Sequence, residues 1–253
     1  MAKHNCAICG AEVGLLSSHQ LADKTYICRK VCAKKCLKLF ELVPATLSDV
    51  EEHIKQVEFG TKVWNQIFVP LKKTKEKDEK LKGLCQYDNM VVSPSTGLVA
   101  VTQDDYKFFI FGKSTRACVY RIADLYSYEY ESEVTKDSEG KDITKHFCRF
   151  IFNNVSGLYN FRMPLSSEGQ YREIEKYFDN MFGIQKTLGN SFNNAKRQMD
   201  AIKSTIGAVK AAMNESDDVA EKTQKAFDDM NAYKFGDRTK WAEKADAALA
   251  SVK

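Results

Sequence analysis

No stretch of this 253-residue chain approaches eighteen consecutive apolar residues, so no helix that spans a membrane is expected. The opening Met1-Ala2-Lys3-His4-Asn5 has no apolar segment of the kind that directs secretion, and cytoplasmic residence is the expectation. Histidine is scarce: His4, His19, His53 and His146 are scattered and form no clustered set. Glycine-rich phosphate loops and nucleophile elbows are missing as well, and without them no catalytic constellation can be assembled. The chain is therefore expected not to be an enzyme. An excess of charge of one sign is also lacking, because a net charge of +4 is too small to argue for nucleic acid by itself.

Cysteine is plentiful. Eight are present, and in a chain expected in a reducing compartment they read as metal ligands and buried thiols before disulfides. Cys6-Ala7-Ile8-Cys9-Gly10 is a turn that gathers two thiolates with backbone N–H groups aimed at sulfur, and Cys28 with Cys32 supplies a second close pair. Zinc holds sulfur at about 2.3 Å, so neighbouring ligands lie within roughly 4 Å of one another. Eight helical residues rise about 12 Å, which separates Cys28 from Cys36 on a helix, whereas four rise about 6 Å. The favoured ligands are Cys6, Cys9, Cys28 and Cys32, with Cys36 in reserve and His4 and His19 as weaker alternatives. An all-sulfur site is closed to activating water, so the zinc would be structural, holding a piece of about forty residues with too little core of its own. Cys85, Cys118 and Cys148 are isolated and read as buried small hydrophobes.

The rest of the chain divides by period and charge. Residues 1–43 are the zinc-binding module, with a short hairpin around Gly14–Tyr26 and a helix from about Arg29 to Phe40. Residues 44–85 are a helical linker whose Ser48-Asp49-Val50-Glu51 has the spacing of a capping box, predicting a helix from Asp49 to about Glu58. It ends in the charge run Leu71–Lys82, read as a solvated tether. Residues 86–184 alternate in strand fashion: Met90–Ser93, Leu98–Thr102, Lys107–Phe111, Ala117–Arg121, Leu125–Val134, His146–Asn153 and Leu158–Met163. An amphipathic helix over Ser166–Phe182 follows, with the stripe Tyr171, Ile174, Tyr177, Phe178 and Met181. This is a multidomain α+β arrangement of antiparallel strands capped by a helix. Residues 185–253 carry a 4-3-4-3 apolar spacing from Leu188 to Met213, resumed at Val219–Tyr233 and again at Trp241, Ala245, Ala248 and Val252. A basic stretch followed by an acidic one suggests a helical hairpin or bundle, with self-association through any leftover coiled-coil seam.

Within residues 1–40, Lys3, Lys24, Arg29, Lys30, Lys34, Lys35 and Lys38 face only Glu12 and Asp23. Arg29, Lys30, Lys34 and Lys35 are accordingly candidates for contact with nucleic acid or another anionic surface. The plainer alternative is a lysine-rich, solvated helix beside a zinc–thiolate centre that is itself negative.

Residues 6–40, with Cys-Ala-Ile-Cys-Gly, Gly14-Leu15-Leu16, Tyr26-Ile27-Cys28 and a lysine-rich segment after Cys32, resemble an uncharacterised bacterial and phage domain family. Thr46 to Val50 matches the start of the helix that continues it, although three residues separate Cys28 from Cys32 where that family has two. The resemblance implies a zinc-ribbon or treble-clef-like module followed by a pleckstrin-homology-like (GRAM-like) domain. Tyr120–Tyr130 and Phe161–Leu165 are similar to an entry strand and a late strand of that domain. The family carries no assigned activity; it is the missing catalytic set that makes a non-catalytic adaptor the expectation, its module and sheet offering surfaces to a protein or lipid headgroup, with nucleic-acid binding through the basic module as the alternative. Lys107, Lys113, Arg116 and Arg121 are the basic residues that such a sheet would offer to lipid.

Overall fold

The computed structural model describes residues 3–74, 80–106, 112–153, 159–184 and 238–252. The chain divides into two units, one of residues 1–168 with 241–253, the other of residues 169–240.

The first unit begins with two small hairpins. Strand β1 (Lys3–Asn5) pairs antiparallel with β2 (Glu12–Gly14), and β3 (Ser18–Gln20) pairs with β4 (Tyr26–Cys28). The Ala7 amide donates to Tyr26 O at 2.8 Å, which ties the cysteine turn to β4. The helix expected over 29–40 shrinks to a single turn, α1 (Cys32–Lys35). The amides that would extend it are taken elsewhere: Leu37 N–H donates to His53 Nε2 at 3.1 Å and Lys38 N–H to Gln103 Oε1 at 2.7 Å.

Helix α2 (Leu47–Val63) starts two residues before Asp49 and runs past Glu58. Thr46, not Ser48, caps it. The Asp49 amide donates to Thr46 Oγ1, and Asp49 Oδ2 accepts from the Thr46 amide at 2.8 Å. The helix outlasts its predicted end because its buried stripe, Val50, Ile54, Val57, Gly60 and Val63, continues onto a sheet. A π turn (Trp64–Phe68) and a short α3 (Val69–Leu71) carry it on; the widened turn accommodates Pro70, which has no N–H to give.

Four strands, β5 (Lys82–Leu84), β6 (Met90–Ser93), β7 (Leu98–Tyr106) and β8 (Lys113–Arg121), form an antiparallel meander. Strand β8 is an edge, and α2 covers it. Ala117 N–H donates to Thr61 Oγ1 at 3.1 Å, and Gly60 lies so close that an added Cβ would stand 2.3 Å from Ala117 O. A second meander of β9 (Leu125–Lys136), β10 (Asp142–Phe152) and β11 (Asn160–Leu165) follows. The sheets meet through aromatic rings: Tyr120 of β8 stacks on Phe152 at 4.5 Å, and Phe150 and Phe152 lie within 6 Å of Phe161. Phe150 and Phe152 are thus core. The expected strands that are described appear in order, but β5 lies in the stretch expected as helical linker, drawn into the sheet by pairing with β6; Lys107–Phe111 lies outside the described residues.

Helix α4 (Glu168–Phe182) buries Ile174, Phe178 and Phe182. In the second unit Phe178 stacks on Phe182, and the Arg238 guanidinium sits 3.9 Å from the Phe182 ring centre. The heptads from Leu188 to Tyr233 lie outside the described residues. The last helix, α5 (Thr239–Ala250), contributes Trp241 and Ala245 to the first unit. Ala245 joins Trp64, Phe68, Val91, Leu98 and Ala100 in one apolar cluster over the four-stranded sheet. Gly97, at φ +66°, makes room: a Cβ there would stand 2.4 Å from Trp241 O. None of the described helices is long and apolar enough to cross a membrane.

Candidate metal centre

Four sulfurs from distant positions meet at the head of the first unit. Cys6 and Cys9 come from the turn after β1, Cys28 ends β4, and Cys32 opens α1. Their ligand atoms all lie within 4.8 Å of one another, with Cys6 Sγ–Cys32 Sγ and Cys9 Sγ–Cys28 Sγ both 3.7 Å. A tetrahedron of sulfurs around zinc has edges of about 3.8 Å for bonds of about 2.3 Å, so the donor set fits the ion in type and spacing.

The surroundings prepare sulfur for the anionic state. Cys28 N–H points to Cys6 Sγ at 3.3 Å, and Cys32 N–H to Cys28 Sγ at 3.2 Å. Burial alone would raise the Cys6 pKa, but amides of Cys9, Cys28 and Ile8 outweigh it and bring it down to about 6. Cys32 goes the other way, pushed far up by burial and then by the Cys28, Cys9 and Cys6 sulfurs beside it. Adjacent sulfurs that are mostly buried carry charge together only when a cation sits among them.

Sequence spacing therefore names a set that the fold brings together. Cys36 stays out of it; it is buried on its own, and burial pushes its thiol up to about 11. His4 is also outside, stacked flat on Tyr26 at 3.9 Å, and His19 is half-buried on β3. Cys118 and Cys148 are buried as expected, as is Cys85, which follows β5.

The four basic candidates are all exposed. Arg29 Nε donates to Ser18 O at 2.8 Å, which fixes its stem, while Lys35 Nζ lies 4.0 Å from Glu58 across a largely solvated gap. On the sheet, Arg116 and Arg121 are committed within the protein. Arg116 pairs with Asp105 and donates to the carbonyls of Lys34 and Cys36; Arg121 pairs with Asp124 at 2.8 Å and Asp246 at 3.2 Å. These two were expected as headgroup contacts, and their geometry is that of structural clamps. Lys107 lies outside the described residues.

The clamp made by Arg116 is a feature that spacing does not reveal, because its partners are backbone carbonyls about eighty residues away in sequence. With Gln103 it docks the end of the metal module onto β7 and β8. Beside this junction a groove of about 690 Å³ is lined by Lys38, Phe40, Glu41, Arg149, Tyr159 and Arg162 among others. Its arginines are already engaged: Arg149 with Glu131 and Asn160, Arg162 with Glu131 and Glu133.

Residues 4–53 match a domain of unknown function, DUF4428. The match takes in all four sulfur ligands, the Thr46 cap and His53. No curated protein and no solved structure matches the chain.

Proposed function

We propose that this protein is a non-catalytic adaptor in which a structural zinc ion shapes a small binding module. The observation that carries the reading is the closed set of four sulfurs at tetrahedral spacing. All four positions around the ion are filled by protein, so it supplies cohesion and leaves no site for a reacting water. The seven strands in two antiparallel meanders, followed in sequence by α4, support a pleckstrin-homology-like body on which the module is clamped. Such a body presents surfaces to a protein or lipid partner, and the heptads of residues 188–233 would add association between copies.

The test is direct. Protein purified without chelator should carry one zinc per chain by elemental analysis, and Cys6→Ser with Cys28→Ser should abolish it. Cys36→Ser should leave the stoichiometry intact. Absence of stoichiometric metal from folded protein would end the reading.

Nucleic-acid binding is the second reading, favoured by the exposure of Arg29, Lys30, Lys34 and Lys35 on one small module. It requires retention on DNA or RNA that falls steeply with salt.

A further inference from the structure

The metal module exposes what a small folded unit ordinarily hides. Leu15 and Leu16 form the turn after β2 and are 68% and 84% exposed, and Val31 is 56% exposed. The three are brought to one end of the β3–β4 hairpin. Arg29 N–H donates to Ser17 O at 3.0 Å, and Arg29 Nε donates to Ser18 O at 2.8 Å, so the Leu15–Ser17 turn is tied to the segment Arg29–Val31. That segment is the loop between two sulfur ligands, Cys28 and Cys32. Lys30 and Lys34, both exposed, add cations beside it. The acidic residues of the module lie elsewhere. Glu12 is paired with Lys3 at 2.7 Å, Asp23 sits in the turn at the opposite end of the hairpin, bonded to Thr25 and the Leu47 amide, and Glu41 lines the groove that Arg149 and Arg162 share.

We propose that this tip docks on an anionic lipid bilayer. Leu15, Leu16 and Val31 enter the boundary between headgroups and acyl chains, while Arg29, Lys30 and Lys34 meet lipid phosphates. Chemistry selects this partner over two others. A protein interface draws its affinity from aromatic and arginine anchors seated in pockets, and leucine is under-represented among them. Nucleic acid offers phosphates to the cations but nothing to two protruding leucines. A bilayer with acidic headgroups answers both halves of the surface at once, apolar insertion and charge attraction, and the two add. The proposal deepens the structural-zinc reading and rests on it, because the ligands on either side of Arg29–Val31 hold the tip in shape.

The experiment uses the full chain, with zinc content and near-ultraviolet circular dichroism recorded for every sample. Wild type should co-sediment with vesicles of phosphatidylcholine and phosphatidylserine, only weakly with phosphatidylcholine alone, and less as salt rises. Leu15→Ser with Leu16→Ser should weaken partitioning by about tenfold or more at unchanged zinc content. Lys30→Glu with Lys34→Glu should weaken it by at least about tenfold and flatten the salt dependence. A tryptophan placed by Leu16→Trp should shift its emission to the blue with anionic vesicles and be quenched by brominated acyl chains. Zinc-loaded wild type that ignores vesicle charge, or leucine variants that bind as wild type does, would overturn the bilayer proposal and leave the zinc reading standing. Retention on nucleic acid that needs Lys30 and Lys34 but not the leucines, with no vesicle binding, would overturn it in favour of that partner. Folded protein without zinc would overturn the underlying reading instead.

Discussion

His53 shows how one side chain can settle the course of the chain. It is fully buried in α2, accepts the Leu37 amide on Nε2 and stacks on Phe40 at 4.1 Å. Burial, opposed by a bond to Gln56 and aided by the Arg116 charge, lowers its pKa to about 4. The unfolded chain takes up this proton near pH 6.5, so between about 6.5 and 4 it binds more protons than the folded one. Stability should therefore fall as pH drops through that window, by up to about 3 kcal/mol, and level off for this group below it. His53→Gln keeps an acceptor for Leu37 and removes the titration. Denaturant unfolding of both proteins across the window should show their difference in stability changing by that amount; parallel curves would refute it. The four clustered cysteines are the residue-scale feature best read from sequence, since Cys-x-x-Cys-Gly and a second pair at helical reach constrain geometry locally. His53 was not legible in that way. Its partner lies sixteen residues back, and nothing in the spacing announces a histidine that stops a helix.

Among the elements, α2 and β8 depend most on each other. A glycine in mid-helix costs up to about 1 kcal/mol against alanine, so Gly60→Ala would strengthen an isolated helix. Here the added methyl meets Ala117 O and Cys118 Cα, neither of which can swing away. Gly60→Ala should destabilise the protein by about 2–3 kcal/mol, as a lower midpoint of thermal or denaturant unfolding. An unchanged or raised midpoint would show that α2 does not sit on this edge. The strands were legible where alternation survives, as in Cys148–Phe152, or where a short β-branched run is apolar throughout, as in Met90–Val92. The length of α2 was not, because the residues that prolong it answer to β8 and not to a local signal.

On the scale of the whole molecule, the metal module and the sheets are joined by Arg116 and Gln103. Arg116→Ala leaves Asp105 with the Gln103 amide but no countercharge beside it, takes a donor from the Lys34 and Cys36 carbonyls, and should cost about 2–3 kcal/mol. Lysine at this position supplies charge but not a planar fork, so Arg116→Lys should recover less than half of the loss. Equal stability of the lysine variant and the wild type would count against the clamp. Chelation separates the two parts more finely. Stripping zinc should raise amide hydrogen exchange over residues 3–46 strongly and over β6–β8 only slightly, because Val91, Leu98 and Ala100 keep their own apolar cover from Trp64 and Ala245. Uniform exchange across both parts would mean that the ion holds more than its own module.

From sequence alone come the four cysteines that cluster, the antiparallel strands and the amphipathic helix over 166–182. Each rests on chemistry or period that a few neighbouring residues suffice to specify. Tertiary structure decided the rest. It ended α1 by giving the amides of Leu37 and Lys38 to His53 and Gln103, drew α5 back onto the sheet beside Gly97, and turned Arg116 and Arg121 inward. It also left Leu15, Leu16 and Val31 in the open at one end of a hairpin. Those outcomes turn on which distant groups satisfy a donor, an acceptor or an apolar face, and distance in space is what a linear pattern does not carry.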